Sequence, residues 1–213
     1  MTTQTLEAPG NRRPRLRLAD SAGYVLTGFP IALPAFVLMV AGLAAGLGTL
    51  VITVGIGVLA ITLGIAKAFA GLERTRLDAL LGHRVPRPRY RQPRGGVLGR
   101  AVSAGADPRR WLDLAHGLVG FPVAVASFVI VLAWFAGAAS GLSYVLWEWS
   151  VTRGTDNETL AELIGLGDGR LPDILLTTAL GAVLAVTLPW VVRGCAAVQA
   201  GLAWSLLCGY PED

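Results

Sequence analysis

The chain has 213 residues, 54% of them hydrophobic and only 15% charged, with a formal net charge of +4. A soluble domain of that length keeps its charge spread over a polar face on every surface helix, and here long uncharged runs exclude one. The two cysteines, Cys195 and Cys208, lie too far apart along a single helical stretch to pair, and they read as small apolar helix residues.

Residues 1–20 form a polar, basic leader with Pro9, Gly10 and Pro14, and the first fourteen or so positions are expected to be disordered. The leader is not a cleavable signal, because the apolar run that follows is too long and lacks a small-residue cleavage site. From Ser21 to Ala66 there is no charged side chain. That run is about 45 residues long, whereas one crossing of a bilayer needs roughly 20, so it must cross twice. Gly46-Leu47-Gly48-Thr49 supplies the reversal. The first helix is expected from Tyr24 to Gly46, kinked by Pro30 and Pro34, and the second from Thr49 to Gly71.

The second helix then continues as an amphipathic stretch, Leu72 to Leu81, in which Arg74 and Asp78 stand at i, i+4. Gly82 is the expected stop, closing a first hairpin over residues 21–82. Residues 83–106 are a basic linker rich in Pro and Gly. Arg87, Arg89, Arg91 and Arg94 are its candidate contacts to anionic lipid headgroups. Few aromatics accompany them, which argues against nucleic acid as a partner.

A second hairpin spans 107–209, followed by a tail, 210–213. Asp107-Pro108 has the chemistry of a helix N-cap and first turn. The third helix fills the uncharged run Leu114 to Trp147, and the fourth begins near Ile174 and continues to Leu207. Between them, residues 148–173 form the one sizeable polar segment. Thr155-Asp156-Asn157-Glu158 is a capping box there, predicting a short helix that ends at Gly165. Trp147, Glu148 and Trp149 open this segment and are the candidate signal-reading residues.

Gly28-Phe29-Pro30-Ile31-Ala32 with Phe36 recurs as Gly120-Phe121-Pro122-Val123-Ala124 with Phe128, and Val58 to Leu63 recurs as Val183 to Leu188. The fold is therefore expected to be all-α: an integral membrane four-helix protein made of two duplicated hairpins running in the same direction. Leader and linker are basic and residues 148–173 are acidic, which places both termini in the cytoplasm and that segment outside the cell membrane. The small-residue spacings Gly42-x-x-x-Gly46 and Gly137-x-x-x-Gly141 either pack helices within one subunit or join two copies in a homodimer.

Catalytic machinery is not expected. No nucleophile elbow, phosphate loop or zinc spacing occurs, so catalytic, cofactor and metal residues are all read as none. His83 reads as a solvated linker residue and His116 as an interfacial polar tip. Lys67 and Arg193, at helix ends, are expected to snorkel to the interface.

Two stretches carry a resemblance. Glu73-Arg74-Thr75-Arg76-Leu77-Asp78-Ala79-Leu80-Leu81-Gly82 matches an E-R-x-R-x-x-x-L-L-G stretch. Asp107-Pro108-Arg109-Arg110-Trp111-Leu112-Asp113-Leu114 matches D-P-x-x-W-x-D-L. With the apolar hairpins, from Tyr24 to Leu207, the chain resembles the sensor domain of actinobacterial membrane histidine kinases. The resemblance implies an input domain of a two-component system that detects an envelope or membrane signal and passes it to a cytoplasmic kinase or response regulator. Family kinases continue into a phospho-accepting helix and an ATP-binding domain. Neither is in this sequence, so kinase activity is not carried over. The alternative reading is a transport-accessory or lipid-interacting scaffold protein.

Overall fold

The computed structural model describes residues 18–52, 54–82, 90, 96–150, 165 and 170–207. Helix α1 spans Leu18–Gly48 and α2 spans Val54–Leu81, joined by a single 3-10 turn, Leu50–Ile52. A short helix, α3, covers Val97–Gly105. The long α4, Pro108–Leu142, is followed by the one-turn α5, Tyr144–Trp147, and a 3-10 turn, Glu148–Ser150. Helix α6 covers Arg170–Leu207. No strand occurs among the described residues. Helices α1, α2, α4 and α6 are each long and apolar enough to cross a membrane, as a multi-pass membrane protein requires.

Local chemistry explains the boundaries. Asp107 caps α4 by accepting the backbone N–H of Arg109 at 3.1 Å, with Pro108 in the first turn. The reversal after α1 is closed by Thr49, whose N–H and hydroxyl both reach the Ala45 carbonyl. Gly82 ends α2 at φ 63°, a left-handed conformation in which a side chain would be strained. The second helix thus reaches its expected stop, while α1 begins six residues before Tyr24. Pro30 and Pro34 lie inside α1, Pro122 inside α4 and Pro189 inside α6, each removing one N–H from its helix. The short helix expected up to Gly165 falls outside the described residues, although Gly165 itself has φ 74°.

The packing is that of helices in lipid. Large side chains such as Val37, Ile61, Phe135, Val186 and Trp190 face outward, and much of the buried core is small: Ala35, Ala66, Ala70, Ala124, Ala138, Ala196 and Ala203. Helices α1 and α2 pair along their length, as do α4 and α6, and α1 also packs on α4 and α6. Both small-residue spacings are used inside the chain. A methyl group on Gly42 or Gly46 would strike Thr62 or Leu59 of α2, and one on Gly141 would fall 2.6 Å from the Gly181 Cα of α6. The Trp134 indole, deep in the apolar stretch, donates to Thr187 at 3.1 Å, so the polar group is satisfied without water.

The two repeats meet through an exchange. Phe29 stacks on Phe128 with ring centroids 4.9 Å apart, and Phe36 stacks on Phe121 at 4.3 Å. Phe121 is the repeat equivalent of Phe29, and Phe128 that of Phe36. Each ring therefore stacks on the equivalent of the other, the pattern of a two-fold contact, and α1 and α4 do not lie side by side in equal register.

Candidate functional site: a polar core between the repeats

The C-terminal turns of α2 carry three charges into the protein. Glu73 and Arg76, at i, i+3, pair with each other and with α1. The Tyr24 hydroxyl donates to Glu73 Oε1, and Arg76 Nη1 donates to Glu73 Oε2. Arg76 Nη2 donates to the Tyr24 carbonyl at 2.6 Å and to Thr27 Oγ1 at 3.1 Å. Its guanidinium also lies 4.8 Å over the Tyr24 ring. Tyr24 is fully buried and Arg76 nearly so. Buried charges persist only when paired and hydrogen-bonded, and this pair has both kinds of partner.

The third charge, Arg74, turns toward the second repeat. Its Nη2 donates to Asp113 Oδ1 of α4 at 2.8 Å and its Nη1 to the Tyr90 hydroxyl at 3.0 Å. That hydroxyl donates in turn to Asp113 Oδ2 at 2.8 Å. The Lys67 ammonium sits 4.2 Å over the Tyr90 ring, so it ends on an aromatic face of the linker. Burial, and then the charge of Asp113, push the Tyr90 phenol up to about 12, against the opposing pull of Arg74. The expected Arg74–Asp78 pair does not form, and Asp78 is exposed. The reason is energetic. An exposed i, i+4 pair is worth about 0.2–0.5 kcal/mol, whereas Asp113, 2% exposed, needs a counter-charge to remain ionised at all.

Between these two knots lies a cavity of about 60 Å³, walled by all four long helices. Its polar wall is Glu73, Arg76, Asp113, His116 and Gln199, and its apolar wall includes Met39, Phe69, Phe121 and Leu202. Gly28 and Gly120, the first residues of the two repeat motifs, also face it. A Cβ on Gly28 would sit 3.1 Å from Gln199 Oε1, so α6 approaches α1 closely there. Three polar atoms of the wall are buried without a hydrogen-bonding partner: Arg76 Nε, His116 Nδ1 and Gln199 Nε2. His116 is thus a wall residue of this chamber, not the interfacial tip its position suggested.

The opposite end of α4 and α6 holds a smaller polar cluster. The Tyr144 hydroxyl donates to Asp173 Oδ2 at 2.6 Å, and Arg170 Nε donates to Glu148 Oε2 at 2.7 Å. Of the three candidate signal-reading residues, Trp149 is 78% exposed and Trp147 is 39% exposed, but Glu148 is only 4% exposed and is tied to α6. The proposed lipid contacts Arg87, Arg89, Arg91 and Arg94, together with His83, lie outside the described residues. Among the described residues no His, Cys, Asp and Glu cluster has the geometry to hold a metal ion.

From the sequence, Glu73, Arg76 and Asp113 stand out only as parts of two motifs, and Arg74 is matched with Asp78. The signal that they meet was present in the charges: two arginines and a glutamate close one apolar run, and an aspartate opens the next. Gln199 gave no signal, since a lone amide in an apolar helix has no spacing to read.

Among curated proteins none matches this chain, and no solved structure matches it either. A family model described as "Putative sensor" matches residues 24–207, from the Tyr24 that binds Glu73 to the end of α6. The matched span contains both polar knots, the cavity and the cluster at the far end of α4 and α6, and the chain belongs to this family of sensor-type domains.

Proposed function

We propose that the protein is the transmembrane input module of a signalling system, without catalysis of its own, and that α6 carries the signal to a cytoplasmic kinase or response-regulator partner. The observation that supports this best is the continuity of α6. One helix, Arg170–Leu207, is tied to α5 and the 3-10 turn that follows α4 through Asp173 and Arg170 at one end, and packs on α1 through Gln199 at the other. A stiff helix held at both ends converts a small displacement at one into a displacement at the other. Where α6 crosses α4 at Gly141 and Gly181, backbone lies directly on backbone, so a movement of one helix is felt by the other. Trp147, Glu148 and Trp149 read the signal in this scheme, with Glu148 acting through its hold on Arg170. Membrane lipids and a second copy of the chain are the other proposed partners.

The test needs no known stimulus. The C-terminus is fused to a kinase output domain, and Arg170→Glu is introduced so that Glu148 is repelled. Autophosphorylation in membranes is expected to change about tenfold, the effect of a 1.4 kcal/mol shift in a balanced equilibrium. An unchanged rate in a fusion that inserts normally would remove this end of α6 from signalling and favour the scaffold reading.

The orientation proposed, both termini cytoplasmic, rests on the distribution of Arg between linker and loop. Single cysteines replacing Gly95 and Gly154, in a background lacking Cys195 and Cys208, test it with an impermeant thiol reagent on intact cells. Gly154→Cys is expected to label and Gly95→Cys to stay protected; the reverse pattern would invert the topology.

A further inference from the structure

The outward face of the second hairpin runs on past its polar cluster. On α4, α5 and the turn after them, the exposed residues Leu132, Phe135, Ala139, Leu142, Leu146 and Trp149 recur every three or four positions. They form one stripe, which passes the helix break at Ser143 without interruption. On α6 the exposed stripe through Trp190, Val186 and Val183 likewise continues to Leu175 and Leu171. Tyr144, Glu148 and Asp173 lie at the same end, and all three are buried. Polar groups are therefore turned in and carbon out, as far as Trp149 on one side and Leu171 on the other.

The side-chain donors at this end are satisfied locally. Ser143 Oγ donates to the Ala139 carbonyl at 2.7 Å, Trp149 Nε1 to the Leu146 carbonyl at 2.9 Å and Ser150 Oγ to the Trp147 carbonyl at 2.6 Å. Each bond closes within one turn, as polar groups require where water is scarce. The stripe does not suit a second helix. Its members are large apart from Ala139, whereas helices that pair in lipid meet through small residues, and Gly137 and Gly141 are turned toward α6 instead. Beside Leu171, the Arg170 side chain is 64% exposed, a charge that a layer of phosphates accommodates.

We propose that this end of the hairpin lies in the bilayer interface and that the partner of its outer surface is phospholipid. Leu142, Leu146, Trp149 and Leu171 rest against the upper acyl chains, and Arg170 stands among the headgroup phosphates. An indole ring is favoured at that depth. The placement stands on geometry alone. Its consequence for signalling rests on the scheme above: the stimulus read through Glu148 and Arg170 is then a change in headgroup composition or packing, not an aqueous solute.

Nitroxide accessibility in the full chain tests the placement. In a background lacking Cys195 and Cys208, single cysteines replace Leu146, Leu171 or, as a deeper reference on the same stripe, Phe135. All three are exposed, so none gives up core packing. Each spin-labelled protein is reconstituted in vesicles of phosphatidylethanolamine and phosphatidylglycerol. Its collisions with oxygen, which concentrates among acyl chains, are compared with those of a water-soluble nickel chelate. Oxygen contact is expected to exceed nickel contact about twofold or more at Leu146→Cys and Leu171→Cys, and by a larger ratio at Phe135→Cys. Nickel in excess at either of the first two positions would put the surface in water and overturn the proposal. Little contact with either reagent would mean that protein, a second copy or another part of this chain, covers the stripe, and would overturn it as well. Oxygen in excess here, with an Arg170→Glu fusion of unchanged output, would strike the signalling scheme and leave the placement standing.

Discussion

The two ends of the helical bundle solve the same problem differently. Where α2 ends and α4 begins, five charged side chains and two tyrosines knit α1, α2, α4 and the linker together, joining the two repeats. At the far end of α4 and α6, Tyr144 pairs with Asp173 and Glu148 with Arg170, both within the second repeat. At the first end both members of each pair are largely withdrawn from water. At the second, the Arg170 side chain is 64% exposed while its partner is buried. One end is built to hold the halves in a fixed relation. The other ties α6 to the turns that follow α4, in part through an arginine that lies mostly in water.

The sharpest way to break this contrast is to remove one acid-base partner at each end and compare. Asp113→Ala strands Arg74 and takes an acceptor from Tyr90, and breaking a buried pair costs about 3–5 kcal/mol. Arg170→Ala removes a mostly exposed partner, with an expected cost of about 1 kcal/mol. Thermal unfolding in detergent checks the ranking. Equal losses, or a larger one for Arg170→Ala, would mean that the far end is as rigid a clamp as the first.

The smallest effect sharpens the comparison without changing stability at neutral pH. Tyr90 ionises at about 12 in the folded protein, above the roughly 10 of an unfolded tyrosine. Because the folded value is raised, its contribution to stability is complete below pH 10 and is lost as pH rises through 12. The ultraviolet difference between wild type and Tyr90→Phe isolates this phenol. A step near pH 10 would show that Tyr90 is not held against Asp113, and that the linker is not part of the knot.

The helices and their ends were legible because they depend on local chemistry. An uncharged run of the length of Ser21 to Ala66 has few alternatives to two crossings, Asp107-Pro108 ahead of an apolar run is a good helix start, and Gly82 stops one. Partner choice was not legible. From spacing, Asp78 is the nearest acid to Arg74; what decides for Asp113, 39 positions away, is the cost of leaving a buried carboxylate alone. Glu148 is a second case of a partner that spacing does not give: its neighbours Trp147 and Trp149 suggest an outward-facing residue, and it instead reaches Arg170, 22 positions on. The cavity was hidden for a further reason. Its wall takes residues from four helices, and no single stretch records how much space remains after they pack.

The crosswise stacking of Phe29 on Phe128 and of Phe36 on Phe121 has a consequence for concentration. A contact in which each ring meets the equivalent of the other is self-complementary, the geometry by which two identical partners associate. Here both faces belong to one chain, so their encounter is intramolecular and does not depend on how many copies are present. It also lets the two sides differ: Tyr24 on one and His116 on the other occupy matching positions, a difference that a pair of identical chains cannot hold.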